Sequence, residues 1–185
     1  AEFFGYDMEY FMDNAGKAVA DAVMNEKPNN VLVVCGSGNN GGDGYTAATI
    51  LKKNNFNVKI LMVKKPETQL CKKKYEESLK EGIEILRDAN FDDYDVIVDA
   101  MLGIGVTGVP RSPYKEFIEK LNASKSKIIS VDVPSGFPSS LQVRADITVT
   151  MQFPKKGMDE KNSGKIVVAD VGFPKELIER VGPGD

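Results

Sequence analysis

Short runs of consecutive apolar, β-branched residues recur along the chain, separated by stretches with helical spacing. Val31 to Cys35 is the clearest run, and Val58 to Val63, interrupted by Lys59, reads as a second buried strand. A strand with one wet face alternates apolar and polar residues, so an unbroken apolar run belongs to a strand buried on both faces. Further strands are expected at Ile83 to Leu86, Val96 to Val98, Lys127 to Val131, Ile147 to Met151 and Ile166 to Ala169. Between them, Met8, Met12, Ala15, Val19 and Val23 recur at helical spacing, and Pro28 with its two following asparagines stops that segment. Helices are also expected from about Asp43 to Lys53, from Thr68 to about Lys80 ending near Gly82, from Ser112 to Asn122 with Pro113 in the first turn, and from Pro174 to Val181. Strands alternating with helices make βαβ units, hence an α/β domain whose mostly parallel sheet carries helices on both faces.

The bulk properties narrow the function. A length of 185 residues fits one domain, able to bury roughly 70% of its unfolded surface. A net charge of −3 gives no electrostatic footprint for nucleic acid. No apolar run approaches the ~20 residues of a membrane helix, and no signal peptide is evident, although the chain opens at Ala1 rather than Met. Cys35 and Cys71 read as unpaired thiols, which fits a cytoplasmic protein. The chain has no histidine, so acid–base chemistry must fall to Asp, Glu, Lys or Tyr, and a zinc site loses its usual ligands. Lys72 to Lys74 read as a solvated helix face.

Ligands of such sheets bind beyond the carboxyl ends of the strands, and three strand ends carry motifs. After Cys35 comes Gly36-Ser37-Gly38-Asn39-Asn40-Gly41-Gly42-Asp43-Gly44, which contains G-x-G-x-x-G between a strand and a helix. Its glycines let backbone approach phosphate, and the helix that follows offers free N–H groups. The acidic residue that a dinucleotide fold places about 20 positions on is missing; Lys64 and Lys65 stand there and Glu67 comes late. The second motif runs from Asp99 through a glycine-rich loop to Val109, another place for backbone amides to cradle phosphate. The third is Val131-Asp132-Val133-Pro134-Ser135-Gly136. Asp99 can instead cap its next segment and Asp132 can form a turn. Ser135 is no triad nucleophile, since no histidine exists to activate it. Together these strands bring Asn40, Asp99, Asp132 and Ser135 to one rim, whose hard oxygen ligands suit an alkali or alkaline-earth cation.

The series FMDNAGKAVA, VVCGSGNNGGDGY, VDAMLGIGVTG, VDVPSG and ADITVT followed by Pro-Lys-Lys-Gly resembles the NAD(P)H-hydrate epimerases, the YjeF N-terminal domain family, over nearly the whole chain. The most specific elements are NNGGD and VDVPSG at their mutual distance. The resemblance implies a three-layer α/β/α Rossmann-like sandwich and epimerisation, at C6, of hydrated NADH or NADPH. It implies that Asn39, Asn40, Gly41, Gly42, Asp43, Gly103, Ile104, Gly105, Val106, Thr107, Gly108, Val109 and Asp132 bind this substrate. Asn40, Asp99 and Ser135 would hold a potassium ion. Asn14 falls in a family motif whose role the sequence does not reveal. Thr107 stands where some members carry Lys or Arg, and the family usually has a longer N-terminal helix than the chain shows before Phe3, so either the chain is trimmed or its opening helix is short. On this reading residues 1–181 form the epimerase domain. The tail 182–185, Gly-Pro-Gly-Asp, reads either as a flexible terminus or as a junction to a fused ADP- or ATP-dependent dehydratase. A homodimer is also allowed.

Epimerisation can proceed by loss and return of water, or by ring opening and reclosure; the sequence leaves both open. Asp132 is the candidate acid–base group in the first route. Two rival readings are a non-catalytic nucleotide-binding scaffold of the same fold, which would not need NNGGD, Asp99 and Asp132, and an ordinary NAD-dependent dehydrogenase, which lacks its ribose-binding acid here.

Overall fold

The computed structural model describes residues 7–105, 107–174, 176 and 178. Val106, the opening residues around Phe3, the tail 182–185 and much of the helix expected over 174–181 lie outside the described residues. Seven parallel strands form one sheet: β1 (Asn30–Cys35), β2 (Asn57–Met62), β3 (Glu84–Leu86), β4 (Val96–Ala100), β5 (Lys127–Val131), β6 (Ile147–Met151) and β7 (Lys165–Ala169). Their order across the sheet is β3-β2-β1-β4-β5-β6-β7. The helices are α1 (Met8–Asn25), α2 (Asn39–Lys53), α3 (Gln69–Lys80), α4 (Tyr114–Ala123) and the single turn α5 (Glu160–Ser163).

The unbroken apolar runs explain the layering. Along β1, Val31, Val33 and Cys35 pack in one core with residues of α1, α2 and α3, such as Val19, Leu51 and Cys71. The alternate residues Leu32 and Val34 pack in a second core with Ile118 and Leu121 of α4. Each apolar side chain fully buried in this way contributes about 1.5–3 kcal/mol, and both faces of the strand contribute. β1 is paired to β2 on one side and to β4 on the other. The chain therefore winds outward in opposite directions from that pair, and the topological switch opens a crevice above the carboxyl ends of β1 and β4.

Two expectations change. The helix expected to start near Asp43 starts at Asn39, with Gly38 in the capping position, so NNGGD is its first turn rather than a loop. Glycine weakens helices in isolation, but here packing overrides propensity. A Cβ on Gly41 would stand 2.2 Å from the Gly36 carbonyl oxygen, one on Gly44 2.5 Å from the Ala100 side chain, and one on Gly42 2.7 Å from Met12. A Cβ on Gly16 of α1 would likewise stand 2.4 Å from the Thr46 side chain of α2. At these glycines the helices thus approach their neighbours more closely than any side chain permits. The second change concerns Lys74. It is not part of a solvated face: its side chain is 3% exposed, and it bridges Glu9 at 2.9 Å, Asp13 at 2.7 Å and Glu77 at 3.1 Å. Burial disfavours its charge, but the three carboxylates outweigh burial and raise its pKa. This cluster ties α3 to α1.

Asn14 acquires a structural role. Its amide donates to the carbonyl of Val171 at 2.9 Å, and Gly172, at φ +85°, leaves no room for a Cβ beside Tyr10 and Asn14. The segment after β7 is thereby pinned to α1.

Lys74→Met keeps the buried stem and removes the charge, leaving three carboxylates to repel one another. It should lower stability by about 1–2 kcal/mol, a value reduced from that of a fully buried pair because the carboxylates keep water contact; a lower urea midpoint at unchanged slope would show it. Glu9, whose pKa is depressed by Lys73 and Lys74, adds stability above the ordinary glutamate range, and this is lost as pH falls through its lower folded value. The gap between wild type and variant should therefore narrow in acid.

Candidate active site

A cavity of about 920 Å³ lies over the carboxyl ends of β2, β1, β4, β5 and β6, at the upper end of the ~300–1,000 Å³ typical of ligand sites. Its walls include Asn39, Asn40 and Asp43 from the first turn of α2, then Gly103, Ile104, Gly105, Thr107, Gly108 and Val109 from the loop after β4, and Asp132 and Met151 from the ends of β5 and β6. Gly41 and Gly42 are buried beneath this wall and serve the packing of α2. The opening turn of α2 faces the cavity with N–H groups that have no partner within the helix, and the helix dipole puts partial positive charge there. Asn39 is held outward from α3 by the hydroxyl of Thr68, which donates to its Oδ1 at 2.8 Å.

Asp99 is fully buried in β4. Its carboxylate accepts from the Ser130 hydroxyl at 2.8 Å, the Ser135 N–H at 2.8 Å and the Ser135 hydroxyl at 2.5 Å, with a longer bond from the Met101 N–H at 3.4 Å. Burial raises its pKa, and the hydrogen bonds from Ser135 and Ser130 oppose the rise. Ser135 Oγ in turn accepts from the Leu102 N–H at 2.9 Å. The loops after β4 and β5 are thus joined through one carboxylate and one hydroxyl. Asn40 approaches from α2, with its Oδ1 3.6 Å from where a Gly103 Cβ would be. Its amide nitrogen is buried with no partner. Amide orientation is interchangeable, so the same buried spot can receive an oxygen, and amide, carboxylate and hydroxyl oxygens are together a donor set that would suit a hard monovalent cation.

Asp132 follows β5 in an unusual conformation. Its φ is +66°, in the left-handed region, where Asp is tolerated better than most residues. The Val133 N–H donates back to the Val131 carbonyl at 2.8 Å, closing a three-residue turn around it. The end of β6 repeats the device: Gln152 has φ +63° and the Phe153 N–H donates to the Met151 carbonyl at 2.7 Å. The second turn brings up Lys155, whose ammonium pairs with Asp132 Oδ1 at 2.5 Å and also donates to the carbonyls of Met151 and Phe153. Asp43 faces the same space; burial pushes its carboxyl well above the usual range, and the negative charge of Asp132 adds to the effect.

The sequence reading placed Asn39, Asn40, Asp43, Asp132 and the loop after β4 at the strand ends, and they line one cavity. It did not assign Lys155 a partner, and it overlooked Ser37, Arg111 and Tyr114 in the walls. The Pro-Lys-Lys-Gly segment was visible, but only the paired turns after β5 and β6 explain why its first lysine meets Asp132.

Comparison with known proteins agrees with the architecture. A crystal structure of a yeast protein superposes with a TM-score of 0.85 and 26% identity, covering 98% of this chain and 87% of that one. A bifunctional NAD(P)H-hydrate repair enzyme of Archaeoglobus fulgidus is 39% identical over the whole chain, and the chain covers 41% of its length. An NAD(P)H-hydrate epimerase of Plasmodium vivax is 33% identical over 83% of the chain, which covers 58% of that protein. The chain spans only about two fifths of the bifunctional relatives it matches. Residues 8–157 match the family described as YjeF-related protein N-terminus, and the chain belongs to that family.

Proposed function

We propose that the protein interconverts the R and S epimers of hydrated NADH and NADPH, with Asp132 as its acid–base group. The observation that carries this reading is the position of Asp132: a carboxylate turned out of β5 into a cavity walled by two glycine-rich segments, in a chain whose relatives are named for this reaction. The first turn of α2 and the loop after β4 offer backbone N–H groups for the pyrophosphate. The substrate's C6 hydroxyl lies beside a ring nitrogen that can expel it. Asp132 gives a proton as water departs and takes one as water returns on the other face. Lys155 keeps Asp132 in place between these steps, and Asp43, its pKa raised by burial, is a second proton-holding group in the same wall. The scaffold reading finds no support, since a scaffold has no use for this pairing.

Asn40, Asp99 and Ser135 would hold potassium. When bound, the ion supplies a fixed positive charge that organises the loops and the phosphates. A cytoplasmic location goes with this function. The two-fifths coverage of bifunctional relatives supports a division in which residues 1–181 are the epimerase domain and residues 182–185 lead towards an ADP- or ATP-dependent dehydratase. Among the described residues no helix is long and apolar enough to cross a membrane.

Incubation with the pure R hydrate should yield the S hydrate on chromatography, faster than the uncatalysed drift; an unchanged rate ends the reading. Asp132→Asn should keep the fold and the affinity for NADPH yet lose roughly 10²–10⁴-fold in turnover. Near-normal turnover would make Asp132 a positioning group instead. Asp99→Asn should act differently, weakening the response to added potassium and the dinucleotide affinity; equal potassium titrations for variant and wild type would remove the cation from this site.

A further inference from the structure

The charges of the cavity are unevenly placed. Its wall carboxylates, Asp43 and Asp132, face each other closely enough for the charge of one to raise the pKa of the other. Its wall cations, Lys64 and Arg111, come from the far end of β2 and from the segment ahead of α4. From β2 to β5 is three strand spacings, roughly 14 Å at about 4.8 Å each. A pyrophosphate with a ribose on either side fits along such a line, with the phosphates over the glycine-rich segments in the middle.

Lys64 stands two residues past the end of β2. In dinucleotide-binding sheets of this winding, that position carries an acidic side chain that accepts a hydrogen bond from the adenosine ribose 2′-hydroxyl, and a basic group serves where the ribose is phosphorylated. Here the acid is absent. Glu67 does not line the cavity; its N–H is taken by the Ser37 carbonyl at 2.8 Å. The Lys64 ammonium lies over the ring of Tyr114, 5.2 Å from its centroid, and Tyr114 is itself a wall of the cavity. That contact holds the charge at the cavity mouth. Among the described residues no carboxylate pairs with Lys64, so its charge is free for a ligand.

We propose that Lys64, assisted by Arg111, recognises the ribose 2′-phosphate. The dinucleotide then lies with its adenosine half over β2 and its hydrated ring over Asp132, and the site prefers the 2′-phosphorylated substrate. The proposal rests on a nicotinamide dinucleotide being the ligand. A 2′-phosphate carries close to two negative charges at neutral pH, and charge-assisted bonds from lysine and arginine are the strong kind.

The test is equilibrium binding of NADPH and NADH, followed by nicotinamide fluorescence, in wild type, Lys64→Gln, Lys64→Glu and Arg111→Gln. Wild type should favour NADPH by roughly tenfold or more, and added salt should erode the preference. Lys64→Gln should remove most of it by weakening NADPH, with NADH shifting less than about twofold. Lys64→Glu should reverse it, and Arg111→Gln should remove a smaller part. Equal losses for the two nucleotides, no preference in wild type, or no binding of either overturns the proposal. The epimerase reading is separable: a nucleotide preference that follows Lys64 in a protein unable to convert the R hydrate would sustain this assignment and sink that reaction.

Discussion

The site depends on backbone lying against backbone where α2 meets β1 and β4. A Cβ on Gly36 would stand 1.9 Å from the carbonyl oxygen of Met101, and one on Gly41 2.2 Å from that of Gly36. A side chain at Gly36 would force apart the ends of β1 and β4, and one at Gly41 would wedge α2 away from the sheet. The close fit brings the start of α2 level with the loop after β4, so both line one cavity. It also lets Asn40 reach the Gly103 region. Without it, the first turn of α2 and the loop after β4 would separate.

The second tie is electrostatic. A fully buried carboxylate is costly unless it is well hydrogen-bonded, and Asp99 meets that condition only when the loop after β5 folds over it to present Ser135. Forming the β4 and β5 loops is therefore one event rather than two. The same arrangement fixes the Asp99 carboxyl group beneath the floor of the cavity, with its oxygens taken up by Ser130 and Ser135.

The layered fold was legible in the sequence because buried parallel strands leave unbroken apolar runs, and each of the seven strands lies within a residue or two of where its run put it. The positions of Asn40, Asp99, Asp132 and Ser135 were legible too, since strand-end motifs name their own location. Three things were not. Helix propensity put the start of α2 at Asp43, since propensity carries no information about the close packing that makes glycine favourable at Gly41 and Gly42. Lys74 looked solvated because its partners Glu9 and Asp13 lie some 60 residues away in sequence. Lys155 gained its partner only through the left-handed turns at Asp132 and Gln152, and single-residue backbone reversals leave no periodic trace.

Those turns bear on how a parallel sheet presents chemistry. A side chain within a strand points to one face of the sheet or the other, and here both faces are filled by helices and apolar side chains. Neither direction leads to a ligand. The reversal at Asp132 supplies a third direction, outward along the sheet's own plane, and the reversal at Gln152 carries the neighbouring strand's chain round to meet it. The cavity is thus served from the rim of a solid slab, and the Asp132 carboxylate can change partners without disturbing either packed layer.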